Sequence, residues 1–199
     1  MTPQAFYGDA YPQLCAAEQQ LVDLIGRCPV ARDSGGGEKA VLYCKSRIKA
    51  PESMMRKLEK SGLPPTGRAA LAYMHDAVGV RAVCAFTDDV YRVASWLADR
   101  PEVQVKTVKD YIAAPKPNGY RSYHLILALT DGPGAGMTAE VQLRTIAADF
   151  WAALEHQMKY KHTVQHEQLI RDELKRCADE IASVDLSMQT IRELLSERF

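Results

Sequence analysis

Apolar positions recur at helical spacing over residues 12–28, where Leu14, Ala17, Leu21, Leu24 and Ile25 fall near one face. Pro29 ends that helix, and Ser34-Gly35-Gly36-Gly37 reads as a flexible connector. The period then drops to two. Over 41–49, Leu42, Cys44, Ser46 and Ile48 take one side of a strand, and Tyr43, Lys45, Arg47 and Lys49 take the other. Pro51 suits the first turn of a helix reading PESMMRKLEK, which stops at Gly62. Residues 78–86 are apolar enough for a buried strand, interrupted by Arg81, and 88–100 form an amphipathic helix through Val90, Val93, Ala94 and Leu97. Further strands are expected over 102–108, 120–127 and 139–144, the last two joined by the hairpin-like TDGPGAGMT. Thr145 can cap a helix whose stripe of Ala147, Phe150, Trp151, Leu154 and Met158 is expected to be core. Residues 164–198 follow as one long helix. Its Ile170, Leu174, Cys177, Ile181, Val184, Met188, Ile191 and Leu195 are spaced by four and three, a heptad seam that prefers another helix as partner.

Strands and helices alternating in this way predict an α+β fold in which a mixed sheet is flanked by helices. Three stretches are expected: 1–40, a helix with its Gly-rich connector; 41–161, the main domain; and 162–199, a C-terminal helix suited to oligomerisation. The chain has 199 residues, and Lys plus Arg balance Asp plus Glu at 25 each, which argues against a wholesale basic coat for nucleic acid. Five scattered cysteines with no C-x-x-C spacing point away from a disulfide framework or a zinc site, towards a reducing compartment. The opening MTPQAFYGDAYPQL lacks a secretion signal and no apolar run reaches membrane-spanning length, so a cytoplasmic protein without membrane contact is expected.

Polar residues standing at strand ends and turns carry the chemistry. The stretch 109–124, KDYIAAPKPNGYRSYH, contains a Pro-Lys-Pro-Asn-Gly run that can only be a turn. A rigid basic loop leading to an aromatic at a strand's mouth suits a phosphorylated, ring-bearing ligand. Three cations on one face of 41–49 repel one another unless an anion lies across them or water solvates them. Ser53 and Lys57 share a face of the next helix near its N-terminus, an arrangement that favours phosphate. Arg81 inside an apolar strand needs a partner or a role. Among the polar outliers Arg47, Lys49, Ser53, Lys57, Arg81, Lys109, Lys116, Asn118, Tyr120, Arg121, His124, Gln142 and Arg144, the acids on strand-borne positions are Asp76 and Glu140, and two carboxylates amid cations suit Mg²⁺ holding a polyphosphate. Phosphoryl transfer needs little beyond such positioning and charge. No P-loop and no kinase signature is present. The lone His75-Asp76 dipeptide is weak evidence for a metal hydrolase, and His156, His162 and His166, at mixed spacing, read as surface or packing residues.

Four ordered blocks resemble a known family: R-x-K-x-x-x-S-x-x-x-K at 47–57, DAVGVR at 76–81, KDYIAAPKPNGYRSYH at 109–124 and EVQLRT at 140–145. They are similar to the RelA/SpoT-type (p)ppGpp synthetase domain. The short length, with FWAALEHQMKYK before a long terminal helix, looks like the stand-alone small alarmone synthetases of the RelQ type. The resemblance covers about residue 41 to the C-terminus. It implies a nucleotidyltransferase-like synthetase fold and a GTP diphosphokinase activity, in which the β,γ-pyrophosphoryl group of ATP passes to the ribose 3′-hydroxyl of GDP or GTP, and GMP is a further candidate acceptor. By resemblance, Arg47 and Arg81 sandwich adenine, Lys49, Ser53 and Lys57 hold the ATP phosphates, and Lys109 faces phosphates. Asp76 and Glu140 bind Mg²⁺, Glu140 doubling as the base for the 3′-hydroxyl. Tyr120 stacks on guanine, and Lys116, Asn118, His124, Gln142 and Arg144 line the acceptor site.

The RelQ likeness implies a homotetramer. Some family members also bind alarmone or RNA at a central cleft between subunits, using basic residues of the first helix. Here that helix offers only Arg27, opposed by Asp23, although Tyr43 and Lys45 remain as contributors. This argues against stimulation by product. Two rivals share the fold: a toxic relative that pyrophosphorylates the 3′ end of tRNA, and a non-catalytic RNA-binding regulator. Zero net charge weighs against the first, and four intact blocks weigh against the second.

Overall fold

The computed structural model describes residues 1–29, 39–161 and 167–196. The Gly-rich connector, His162, His166 and the expected start of the last helix at 164 lie outside the described residues. Five strands, β1 (Val41–Ile48), β2 (Val78–Cys84), β3 (Val103–Asp110), β4 (Tyr123–Leu129) and β5 (Thr138–Thr145), form one sheet in the order β1-β2-β5-β4-β3. β2 and β5 run parallel and the other pairs antiparallel, so the sheet is mixed as expected.

The two faces of the sheet divide the labour. One is apolar: Val78, Val80, Ala82 and Cys84 of β2, Ala139, Val141 and Leu143 of β5, and Leu125, Leu127 and Leu129 of β4 are buried in one cluster. Helices α2 (Tyr11–Gly26) and α5 (Thr87–Ala98) cover that cluster, α2 through the expected Leu14, Ala17, Leu21, Leu24 and Ile25. The N-terminal helix is therefore part of the main core.

The other face is polar, and strand register places its residues in rows. Lys45, Arg81, Gln142, His124 and Lys109 are successive partners across all five strands, and Arg47, Gly79 and Glu140 form the adjacent row. Helix α3 (Pro51–Lys60) follows β1 and is closed off two residues later by Gly62, whose φ is +69°. Two short helices escape the periodicity reading, α1 (Pro3–Tyr7) and α4 (Gly67–Tyr73), each too brief to show a period and each capped by a threonine, Thr2 or Thr66.

Helices α6 (Ile146–Lys161) and α7 (Glu167–Ser196) lie against one end of the polar face. Their contact is small: Trp151, Ala152, Leu174 and Ala178, with Tyr120, Cys177 and Ile181 alongside. The α6 stripe is not core as expected. Trp151 is buried, whereas Phe150, Leu154 and Met158 are exposed, because α7 reaches only the Trp151 side of the helix. The seam of α7 divides likewise: Leu174 is buried, but Val184, Met188, Ile191 and Leu195 are exposed. Two further boundaries shift. β4 begins at Tyr123 rather than residue 120, since Tyr120 and Arg121 serve the loop before it, and β2 ends at Cys84 rather than residue 86.

Candidate active site

Asp76 stands in the turn just before β2, beside the start of α3. Its Oδ2 receives Lys49 Nζ at 2.6 Å and Lys57 Nζ at 2.7 Å, which ties the end of β1 and the middle of α3 to one carboxylate. Burial opposes its charge, but the two ammonium groups outweigh burial and lower its pKa. Asp76 Oδ1 is buried and has no hydrogen-bond partner among the described residues.

Glu140 projects from β5 into the same cavity, of about 230 Å³, that Asp76, Arg47, Gly79, Arg81 and Gln142 also line. Its Oε1 faces His124 Nδ1 at 3.2 Å and its Oε2 accepts from Gln142 Nε2 at 2.8 Å. Burial works against ionisation here too, yet the bonds from His124 and Gln142, with Lys57 nearby, draw the carboxyl down to about 2. Two ionised carboxylates at one cavity, one with an unsatisfied buried oxygen, fit Mg²⁺, which needs one or two carboxylates and takes its other ligands from phosphate and water.

A second cavity of about 500 Å³ adjoins α3. Arg47, Lys49, Ser53, Arg56, Lys57, Lys60 and His156 line it, so the expected phosphate residues converge there, joined by Arg56, Lys60 and His156. Such a cluster of cations, running along α3 from Ser53 in its first turn to Lys57 and Lys60 in its last, is an anion site.

The other side of Glu140 is a hydrogen-bonded chain. Arg144 Nη2 donates to Tyr120 Oη at 2.7 Å, and that hydroxyl meets His124 Nε2 at 2.8 Å. With His124 protonated on Nδ1 the chain runs on to Glu140. Lys116 lies 4.9 Å and Arg144 5.1 Å from the centre of the Tyr120 ring. Lys116 to Gly119 form the expected turn, with Gly119 N–H donating to Lys116 O at 2.8 Å. Asn118 uses its amide within the protein, donating to Glu155 of α6 and accepting from the Tyr120 N–H. Lys109 is exposed at the end of β3, opposite His124.

Asp149, in the first turn of α6, was missed in the sequence. It is 5% exposed and holds Arg81 and Arg144 together. Its signal was faint: an acid five residues past Arg144, in a turn where any helix welcomes a carboxylate.

Comparison with known proteins places this geometry. The region found in RelA / SpoT proteins matches residues 46–165, which include every block quoted above and all of its site residues. GTP pyrophosphokinase YwaC of Bacillus subtilis is 39% identical over 160 residues, 79% of this chain and 76% of that protein. The crystal structure of small alarmone synthetase 1 from Bacillus subtilis bound to its product pppGpp superposes with a TM-score of 0.80 at 28% identity, covering 92% of this chain and 94% of that one. The same synthetase bound to AMPCPP gives 0.73 at 25% identity, over 94% and 96%. With the matched region spanning more than half of its length, this chain belongs to the RelA/SpoT family.

Proposed function

We infer that this protein is a GTP pyrophosphokinase of the small alarmone synthetase type. It transfers the β,γ-pyrophosphoryl group of ATP to the 3′-hydroxyl of GDP or GTP, giving ppGpp or pppGpp and AMP. The observation that carries the reading is the pairing of Asp76 and Glu140 at one cavity, with a cation-lined cavity on the α3 side and the Tyr120 loop on the other. Small alarmone synthetase 1 from Bacillus subtilis has been crystallised bound to pppGpp and to AMPCPP, which supports the two substrates.

Lys49, Ser53 and Lys57 hold the triphosphate, and Arg47 and Arg81, in neighbouring rows of the sheet, flank adenine with their planar guanidinium groups. On the acceptor side, Tyr120 stacks on guanine while Lys116, His124, Gln142 and Arg144 bind around it. Asn118 keeps the loop in shape, and Lys109 faces phosphate from β3. The 3′-oxygen bonds to the β-phosphorus as the bond from that phosphorus to the α,β-bridging oxygen breaks, and AMP leaves. Glu140, ionised at neutral pH, accepts the hydroxyl proton, and the surrounding cations offset charge developing on the phosphoryl oxygens. Asp76 and Glu140 are the residues to hold Mg²⁺, which would supply charge neutralisation at the transferred group. The protein acts in the cytoplasm as a homo-oligomer, a tetramer by analogy.

Incubation with ATP and each of GMP, GDP, GTP and tRNA, resolved by chromatography, tests the reading. AMP released together with a 3′-pyrophosphorylated guanine nucleotide is expected. Transfer to tRNA alone would move the assignment to the toxin rival, and no transfer to any acceptor would sink the enzyme reading.

A further inference from the structure

Arg81 and Arg144 come from neighbouring parallel strands, two residues apart in register, and project from the polar face. Their guanidinium groups meet at one oxygen. Asp149 Oδ1 receives Arg144 Nη1 at 2.9 Å and Arg81 Nη1 at 3.2 Å, and Tyr43 Oη of β1 donates to Oδ2 at 3.4 Å. Side-chain exposure is 5% for Arg144, 7% for Asp149 and 32% for Arg81. From Arg144 the contacts continue to Tyr120 Oη and to Gln142 Oε1 at 3.0 Å. Arg81 lines the Asp76–Glu140 cavity.

We propose that Asp149 is a positioning residue that couples the two nucleotide subsites, holding the ATP-side Arg81 and the acceptor-side Arg144 in one geometry. This rests on the functional reading above, which assigns those arginines to different substrates. Two guanidinium groups so close repel each other, and burial weakens their solvation, so they share this space only because an anion stands between them. A merely structural salt bridge needs one arginine. Here the buried Arg144 already pairs with Asp149 Oδ1, and the second, partly exposed Arg81 is drawn to the same oxygen. Its tie to Asp149 fixes the orientation of a guanidinium with a face meant for a base. Loss of the carboxylate frees both forks at once.

The test is steady-state kinetics of Asp149→Asn, with ATP and GDP each varied against the other, alongside thermal unfolding. Both KM values should rise about tenfold, the scale of a lost charged hydrogen bond. In an Arg81→Ala background, Asp149→Asn should leave the ATP KM where Arg81→Ala put it, yet still raise the acceptor KM through Arg144. A lowered melting temperature with both KM values unchanged would overturn the inference, as would a rise in one KM alone. If Asp149→Asn does not fold, Tyr43→Phe takes its place, since it removes only the hydroxyl on Oδ2. About a twofold rise in both KM values is then expected from a weaker neutral bond, and unchanged values overturn the proposal. Failure of the functional reading is separate, because it appears as an unmodified protein that releases no AMP.

Discussion

Replacing Asp76 by Asn, or Glu140 by Gln, keeps shape while removing a charge that Lys49 and Lys57, or His124, now face. Either variant should lose several kcal/mol of transition-state stabilisation, about a thousandfold or more in turnover. Circular dichroism should still show a folded protein, and near-normal turnover in a folded variant would refute the assignment. Tyr120→Ala should raise the acceptor KM about tenfold, since base–aromatic stacking is worth roughly 1–3 kcal/mol. The ATP KM should barely move, and equal losses for both nucleotides would place Tyr120 elsewhere. Asp185 gives a pH-dependent outcome. Its carboxyl, on α7, accepts from Thr145 Oγ1, but burial prevails and raises its pKa. The folded form thus binds this proton more tightly than the unfolded chain, so its contribution to stability falls as pH rises from the normal aspartate range through the raised value. Asp185→Asn should therefore gain melting temperature relative to the parent at pH 7.5 and lose most of that advantage near pH 4. The same advantage at both pH values would refute it.

At the scale of elements, α7 is fastened to the acceptor loop. Arg121 donates to Gly119 O and Ala178 O and pairs with Asp179 at 3.0 Å, while Trp151 Nε1 donates to Leu174 O at 2.9 Å. Gly119 makes this approach feasible. Its φ is +85°, and a Cβ there would lie 2.5 Å from the Cβ of Ala178. Gly119→Ala combines left-handed strain with overpacking, each costing on the order of 1–3 kcal/mol. It should lower the melting temperature and, by pushing the loop off α7, raise the KM for GDP more than that for ATP. A variant with an unchanged GDP KM would show that α7 does not hold the loop for binding.

At the scale of the molecule, the far half of α7 and the outer face of α6 leave apolar surface uncovered among the described residues. Phe150, Leu154 and Met158 follow each other at four-residue spacing, and Met188, Ile191 and Leu195 continue the seam. Exposed patches of this kind mark interaction surfaces. Met188→Glu with Ile191→Glu should dissociate an oligomer without unfolding the subunit, since both side chains are about half exposed. Ile181 is unsuitable for this purpose because it packs against the Trp151 cluster. Light scattering that finds the unmodified protein monomeric at micromolar concentration would refute the oligomer.

Local pattern alone determined much of this protein. Alternation over 43–48, the apolar run of β2 and the Asn-Gly turn were legible because backbone geometry imposes their spacing within a few residues of chain, whereas a bulge after Val41 leaves Leu42 exposed and the four blocks were legible through a family resemblance. Tertiary structure decided what pattern cannot encode. A helical stripe shows that a face is apolar but not which part finds a partner, so α6 and α7 meet at Trp151 and Leu174 and leave Phe150 and Met188 outside. Asp149 became visible only when strand register set Arg81 beside Arg144, since ion pairs between elements depend on distance in space and leave no period in the sequence.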